Sequence, residues 1–492
     1  MATEATPGRA VARPRQGAAV EAPPAFRPSR LVVPALVVGD LYALWLSVGA
    51  GLGLRQLASF WDPVSYSAEA VAALILVTLA FPIGYAILGL YPGYGLNPVE
   101  RLRRQVLGTS LMAAVLLASS DLAVRGQAPR GAALAATAAA LVFVPLGSAL
   151  VRTGLERTGR WGKPVVVLGA AKTGALVVRN LREWPALGLV PVAALDDDPA
   201  KHGSELEGVP IVGPISEAPR LVEQGVRTAI VAMPGAGRDR HVELLTSLRF
   251  PSLLFVPDLF GAQSLWVTSR DLGGVLALEV QNNLLVPWRR GLKRALDYSL
   301  GAALFLATLP LVAALALLIK LVSPGPAFFA QEREGLHGRP FRMWKLRTMY
   351  PDAERRLQEL LARDPAAREE WERYVKLRND PRVIPVIGAF LRRTSLDELP
   401  QFWNVVRGEM SLVGPRPFPA YHLEKFPPEF RELRRAVRPG VTGLWQVSAR
   451  SEGDLEVQQG LDTAYIRNWS PWLDLYVLAK TASAVLAGRG AR

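Results

Sequence analysis

The chain contains no cysteine, so disulfide frameworks, thiolate nucleophiles and cysteine metal sites are all excluded. Histidine is nearly as scarce: His202, His241, His337 and His422 lie too far apart in sequence to form a close-spaced zinc pair. Charged residues make up only 20% of the chain against 50% hydrophobic, which argues against a disordered or coiled-coil protein. Acids are the scarcer sign, 43 against 57 Lys and Arg, and the net +14 points to an anionic partner: nucleic acid, phospholipid or a phosphorylated substrate. With 492 residues the chain is about three ordinary domains long, so the position of that charge along it decides between them.

Residues 1–30 carry Ala, Pro and Arg without apolar periodicity and read as a disordered basic tail with no secretory signal. Four apolar stretches follow at 31–54, 71–91, 106–124 and 131–151, each near the ~20 residues a helix needs to cross the hydrocarbon layer. The expectation is a region of four transmembrane helices over 31–152. Arginines flank it unevenly: Arg9, Arg13, Arg15, Arg27 and Arg30 precede the first stretch, Arg101, Arg103 and Arg104 follow the second, and Arg152, Arg157, Arg160 and Lys163 follow the fourth. The positive-inside rule then places the N-terminus and everything after residue 152 in the cytoplasm. Asp40 and Asp121 fall inside these helices; a packing contact explains them as well as a function does, and neither is assigned a role.

From Pro164 short β-rich runs alternate with amphipathic segments, at 164–170, 189–195, 209–213 and 228–234, which predicts a Rossmann-like parallel α/β domain over 160–285. Its first turn, Gly169 to Gly174, lacks the middle glycine that lets a pyrophosphate approach the backbone. The second run ends in Asp196, Asp197 and Asp198 before a proline, which is a ribose-binding signal or a plain turn. A structural or regulatory role is the stronger reading of the two.

The charge excess lies beyond this domain: residues 286–492 hold 32 bases against 22 acids, a net +10. They begin with Arg289, Arg290, Lys293 and Arg294 and enter a fifth apolar stretch, Leu296 to Val322, interrupted by Pro310. Proline lacks the amide hydrogen of the helical ladder and bends it. A re-entrant membrane hairpin over 286–322, entering and leaving by one leaflet, keeps both flanking basic clusters on the same side. A proline-kinked spanning helix is the alternative.

The segment Asn379 to Pro417 reads NDPRVIPVIGAFLRRTSLDELPQFWNVVRGEMSLVGPRP. Asp397 and Glu398 precede Leu399 and Pro400, so a helix is predicted to start near Asp397 and to end at Gly408. An N-cap or a capping box from Ser395 to Glu398 would account for these acids without chemistry. Arg382, Arg392, Arg393 and Arg416 crowd the same segment, however, and guanidiniums at that density suit a diphosphate. A carboxylate among them is expected to stay ionised and to attack phosphorus, with a divalent metal neutralising the phosphate charge.

This run, with FRMWKLRTM at 341–349 and VRPGVTGLWQVSAR at 437–450, resembles the bacterial sugar transferase family of polyprenyl-phosphate hexose-1-phosphate transferases. The resemblance covers about residues 286–492, and the upstream architecture is similar to that of the larger members. It implies a mostly helical catalytic domain over 323–492, in which Asp397 attacks the β-phosphate of a UDP-sugar and releases UMP. An aspartyl phosphosugar then passes to undecaprenyl phosphate at the membrane lipids. It also implies that Glu398 assists and, with Asp397, positions Mg2+, and that Arg392 and Arg416 bind substrate phosphates. Arg382, Lys345 and Arg347 match further basic positions, although snorkelling beside the bilayer accounts for the last two nearly as well. Many relatives carry Ser-Pro where this chain has Leu309-Pro310, so the proline is kept without the serine hydroxyl.

Two rival functions remain. A membrane sugar-nucleotide dehydratase or epimerase would place Tyr-x-x-x-Lys after a nucleotide fold, but that spacing occurs here at Tyr421 to Lys425 and Tyr476 to Lys480, in the wrong third of the chain. A non-catalytic regulator of polysaccharide assembly has no use for arginines clustered around Asp397. No nucleic-acid partner is expected, because the basic charge adjoins apolar segments. A homodimer is one arrangement the sequence allows.

Overall fold

The computed structural model describes residues 29–58, 68–123, 130–237, 240, 244, 248, 250–257, 267–271, 276–280, 287–374, 380–424, 426–448 and 455–486. The expected basic tail lies almost wholly outside the described residues, as does the side chain of Asp121. The chain forms two compact units, Met1–Leu259 and Phe260–Arg492.

In the first unit five helices come first: α1 (Val32–Ala58), α2 (Ala68–Thr78), α3 (Phe81–Ile87), α4 (Pro98–Ala123) and α5 (Arg130–Arg157). Small residues set the approach of α1 to α5: a Cβ on Gly51 would lie 2.4 Å from the Ala136 nitrogen, so only glycine lets the backbones meet there. The stretch predicted as one crossing at 71–91 is two helices. Proline at the second position of α3 has no amide hydrogen to continue α2, and Leu79 and Ala80 instead close turns onto Leu76 and Val77. By length and composition α1 and α5 can cross a membrane, whereas α2 and α3 are short and α4 opens with Arg101, Arg103 and Arg104. Asp40 is buried at 1% exposure and accepts hydrogen bonds from the hydroxyls of Tyr91 (2.6 Å) and Ser148, so it serves as an interhelical packing contact.

The sheet that follows contains β1 (Lys163–Leu168), β2 (Leu189–Leu195), β3 (Glu205–Leu206), β4 (Val209–Gly213), β5 (Thr228–Val231) and β6 (Ser252–Phe255) in the order β3-β4-β2-β1-β5-β6. All neighbours are parallel except β3 with β4, so the parallel strands follow the doubly wound order with the first strand in the middle. Val165, Val166, Val167 and Leu168 are fully buried, as expected for a central strand covered on both faces, with α6 (Lys172–Glu183) and α7 (Ala218–Glu223) in the crossovers. The three acids after β2 work in the turn. Asp196 accepts from the Ala170 nitrogen (2.6 Å), the Asp198 nitrogen and Lys201 Nζ (3.0 Å each), Asp197 from the Ile215 nitrogen (2.9 Å), and Asp198 from the Ala200 nitrogen (3.0 Å).

The second unit opens with an antiparallel pair, β7 (Val267–Asp271) and β8 (Leu276–Val280), and then α8 (Pro287–Val322). Where the sequence reading turns the chain back at Pro310, α8 is a single helix with that proline inside it. Its two arms nevertheless pack on the same unit. Before the proline, the ring of Phe305 lies 5.4 Å from Trp403; after it, Val312, Leu315 and Ile319 bury against Leu346, Ile384, Ile387 and Leu391. Leu306, Leu309 and Leu311 between the arms are exposed.

The rest of the unit is short elements. The antiparallel hairpin β9 (Phe328–Glu334) and β10 (Pro340–Leu346) precedes α9 (Ala353–Arg363), α10 (Pro365–Tyr374), α11 (Ile387–Thr394) and α12 (Gln401–Val406). Two-residue-register pairing of β11 (Ser411–Val413) with β12 (Gly440–Thr442) brackets α13 (Ala420–Leu423) and α14 (Pro428–Arg435). The chain ends in α15 (Leu444–Ser448), α16 (Leu455–Asn468) and α17 (Pro471–Leu486).

Candidate active site

Between α11 and α12 the chain reverses through Ser395, a non-glycine residue at φ +56, and makes one 3-10 turn over Leu396–Glu398 before Pro400 leads into α12. A side chain held in the left-handed region costs free energy and marks a turn that the surroundings impose. The turn carries Asp397 inward to 9% exposure and leaves Glu398 half-buried. Neither acid caps a helix: no side-chain cap bond forms at Ser395 or at Pro400, so the capping explanation fails here. The helix predicted from Asp397 to Arg407 is instead this 3-10 turn followed by α12, and Gly408, at φ +74, ends it.

Lys345, from β10, faces the pair. Its Nζ donates to Glu398 Oε1 at 2.6 Å and stands 4.0 Å from Asp397 Oδ2. Strand and turn are held in this register by Asn404, fully buried on α12, which accepts from the Trp344 nitrogen (3.1 Å) and donates to the Arg342 carbonyl (2.7 Å) and to Glu409 (2.6 Å). Burial raises the Asp397 pKa to about 6; Lys345 and Arg392 pull it down, and the neighbouring charge of Glu398 pushes it up. Desolvation thus outweighs the nearby cations, Lys345 first and then the solvent-exposed Arg392, yet at about 6 the carboxyl still ionises below neutral pH. Burial also opposes charge on Glu398, but the cations of Lys345 and Arg416 and the Lys345 hydrogen bond together hold it below the usual range.

The predicted phosphate ligands divide into two groups. Arg392, at the end of α11, donates to Thr348 Oγ1 (3.0 Å) and acts electrostatically on Asp397, while Arg416, in the loop after β11, acts on Glu398. These two and Lys345 surround the carboxylates. Arg382 forks onto Asp380 with bonds of 2.8 and 2.7 Å, and Asp380 in turn feels the charge of Arg392. Arg347 does not reach the site at all: it is 6% exposed and donates to the Pro324 (2.9 Å) and Ser323 (2.6 Å) carbonyls, tying the end of α8 to β10. The alternating pleat explains this placement. Lys345 and Arg347 are two residues apart, but β10 ends at Leu346, so they no longer share a face.

Sequence reasoning missed the supports. Arg434 on α14 lies 4.8 Å from the Phe418 ring and 5.6 Å from Phe430, is ion-paired with the buried Asp462, and donates to the Arg416 carbonyl. It thereby fixes the backbone that presents Arg416. Twenty-eight residues separate Arg434 from Asp462, so no local spacing betrays the pair.

Among the described residues no group of three or more His, Asp or Glu gathers to bind a metal. Two adjacent carboxylates are nevertheless a donor set that fits Mg2+, which keeps waters and takes one or two carboxylates together with substrate phosphates.

Comparison with known proteins gives the family. Residues 288–488 match the family model of the bacterial sugar transferases, and residues 86–251 match that of a CoA-binding domain. The chain is 38% identical to the UDP-galactose-lipid carrier transferase of Erwinia amylovora, over 71% of this chain and 74% of that one. It is 35% identical to the undecaprenyl-phosphate galactose phosphotransferase of Salmonella typhimurium, over 72% and 74%. To the UDP-glucose:undecaprenyl-phosphate glucose-1-phosphate transferase of Escherichia coli it is 34% identical, over 66% and 68%. The chain belongs to the bacterial sugar transferase family and is an enzyme of the phosphoglycosyl transferase type.

Proposed function

We propose that the chain transfers a hexose-1-phosphate from a UDP-sugar to undecaprenyl phosphate, the first step in building a polysaccharide, through a covalent intermediate on Asp397. The observation that carries this reading is the buried Asp397 carboxyl, bonded to no cap, beside Glu398, Lys345, Arg392 and Arg416. With a pKa of about 6 it is mostly ionised at neutral pH yet poorly solvated, as suits a nucleophile. An oxygen of Asp397 forms a bond to the β-phosphorus while the bridging P–O bond breaks, and UMP leaves with that electron pair. An oxygen of the lipid phosphate then attacks the same phosphorus, and the acyl-phosphate bond breaks to restore the carboxylate. Arg392 and Arg416 orient the diphosphate, and Lys345 keeps Glu398 charged. Glu398 and Asp397 would hold Mg2+, which would supply charge neutralisation for the substrate phosphates.

We further propose a multi-pass protein of the bacterial inner membrane, with residues 31–152 as four crossings, α2 and α3 together making the second, and the active site in the cytoplasm. The exposed apolar faces of α1 and α5 (Leu57 at 75%, Leu150 at 66%) support burial in lipid. Both arms of α8 packing on one unit, with Leu306, Leu309 and Leu311 exposed between them, support entry and exit by one leaflet. The test is a donor screen: membranes containing the protein, undecaprenyl phosphate, magnesium and a panel of UDP-sugars, scored by UMP release. At least one UDP-hexose is expected to release UMP there, and protein stripped of lipid in detergent is expected to release it in a burst stoichiometric with enzyme before undecaprenyl phosphate is added; release only in the presence of acceptor would refute the covalent route.

A further inference from the structure

A cleft of about 320 Å³ opens beside the first turns of α8, and neither Asp397 nor Glu398 forms part of its walls. That volume is at the lower end of small-molecule sites. Its walls carry Arg290, Lys293 and Arg294 from α8 and Arg438 from the segment before β12, with Asp297 as the one acid among them. Asp297 is already occupied. It accepts from Ser411 Oγ (3.0 Å), the Leu412 nitrogen (3.1 Å) and Lys293 Nζ (3.4 Å), and Lys293 also donates to Asp474 at 2.8 Å. Lys293 thus stands between two acids, and Asp297, held by these donors, also acts electrostatically on Arg438.

Three guanidiniums remain, and among the described residues none is ion-paired to a carboxylate. Arg290 and Arg294 are four apart on one face of α8, and Arg294 donates only to Tyr298 Oη, at 3.2 and 2.7 Å. Arg438 is half-buried and donates a single bond, from Nε to the Gly408 carbonyl at 2.8 Å. Burial, and after it the like charge of Arg294, holds the Arg438 guanidinium below its ordinary pKa. One carboxylate among three guanidiniums and a lysine leaves the open cleft attractive to an anion, and planar guanidinium forks fit the oxygens of phosphate. The place narrows the source: on the opposite face of the same helix Trp288, Leu292, Leu296 and Leu300 are exposed, an aromatic and apolar row that suits a helix lying at the headgroup level of a bilayer.

We propose that this cleft is a second phosphate-binding site, separate from the transfer site, which holds the phosphate of an anionic phospholipid headgroup through Arg290, Arg294 and Arg438. The lipid source rests on the reading of α8 as membrane-embedded; free phosphate is the other source of the same chemistry. The test uses full-length protein stripped of lipid in detergent micelles and native mass spectrometry. It is titrated separately with dioleoylphosphatidylglycerol, with phosphate-free dioleoylglycerol and with inorganic phosphate. Phosphatidylglycerol is expected to be retained in preference to dioleoylglycerol, and half-retention by R290Q/R294Q to need at least ~10-fold more lipid. Both arginines are exposed on a long helix, and thermal unfolding checks that the variant is folded; Arg438→Gln is expected to weaken retention independently. Retention of inorganic phosphate that is sensitive to the same substitutions, without retention of lipid, supports the phosphate site and assigns it a soluble source. Equal retention by wild type and both variants overturns the proposal, as does equal retention of dioleoylglycerol. Asp397→Asn separates this site from the transfer site: unchanged retention is expected, and its loss would mean that the phosphate sits at Asp397.

Discussion

Ionising Asp397 inside the fold costs free energy, because burial raises its pKa to about 6 from the 3.8 of a free aspartate. The folded state therefore binds this proton more tightly than the unfolded chain, so stability declines as pH rises from about 4 to 6 and stays lower above that. Asp397→Asn removes the penalty while removing the nucleophile. It is expected to abolish UMP release and to stabilise the fold at pH 7 by up to ~3 kcal/mol, read as a higher melting temperature. A mutant that melts lower would contradict a buried, penalised carboxylate. The same titration predicts that transfer falls off below about pH 6. Lys345 acts on that limb: Lys345→Met withdraws the cation that lowers the Asp397 pKa, so the acidic limb of the kcat/KM profile is expected to move to higher pH. An unmoved limb in a folded, active mutant would separate Lys345 from the nucleophile.

At the scale of elements, the loop that presents Arg416 depends on α14 and α16 rather than on its own residues. Arg434→Met leaves Asp462 buried without its partner and is expected to cost about 3–5 kcal/mol in denaturant unfolding. Transfer by the surviving folded fraction is expected to show a raised KM for the UDP-sugar, since the Arg416 carbonyl loses its donor. A stability loss with KM unchanged would make the pair purely structural. The helix α8 offers a second test. Pro310 withholds an amide from the ladder, and Pro310→Leu restores it, favouring a straight helix by ~3 kcal/mol. Phe305 against Trp403, and Ile319 in the cluster with Leu346 and Leu391, hold the two arms to one unit, so a change in the path of the helix at Pro310 strains one of these contacts. UMP release is expected to fall, and wild-type activity in this variant would mean that the proline does not matter.

For the whole molecule the question is which side of the membrane the active site faces. The chain has no cysteine, so a single Ala330→Cys reports by itself when intact cells are treated with an impermeant maleimide. No labelling is expected until the cells are opened. Efficient labelling of intact cells would mean that α8 crosses the bilayer, and it would place Asp397 away from cytoplasmic UDP-sugars.

The sequence by itself determined what depends on local pattern. Apolar runs marked the long helices, the strand runs at 164–170, 189–195, 209–213 and 228–234 became β1, β2, β4 and β5, and the motif around Asp397 gave the family, because a contiguous motif survives as a contiguous turn. Tertiary structure decided what depends on residues distant in the chain. Lys345 and Arg347 read alike in sequence, yet the end of β10 sends one to Glu398 and the other to the carbonyls that close α8. The acids after β2 read equally as ligands or as a turn, and only packing assigned Asp196 to the backbone of the Gly169 loop. The Asp397 pKa followed the same rule: charge is legible in a sequence, but desolvation depends on which atoms fold over the carboxyl, and here desolvation is the larger effect.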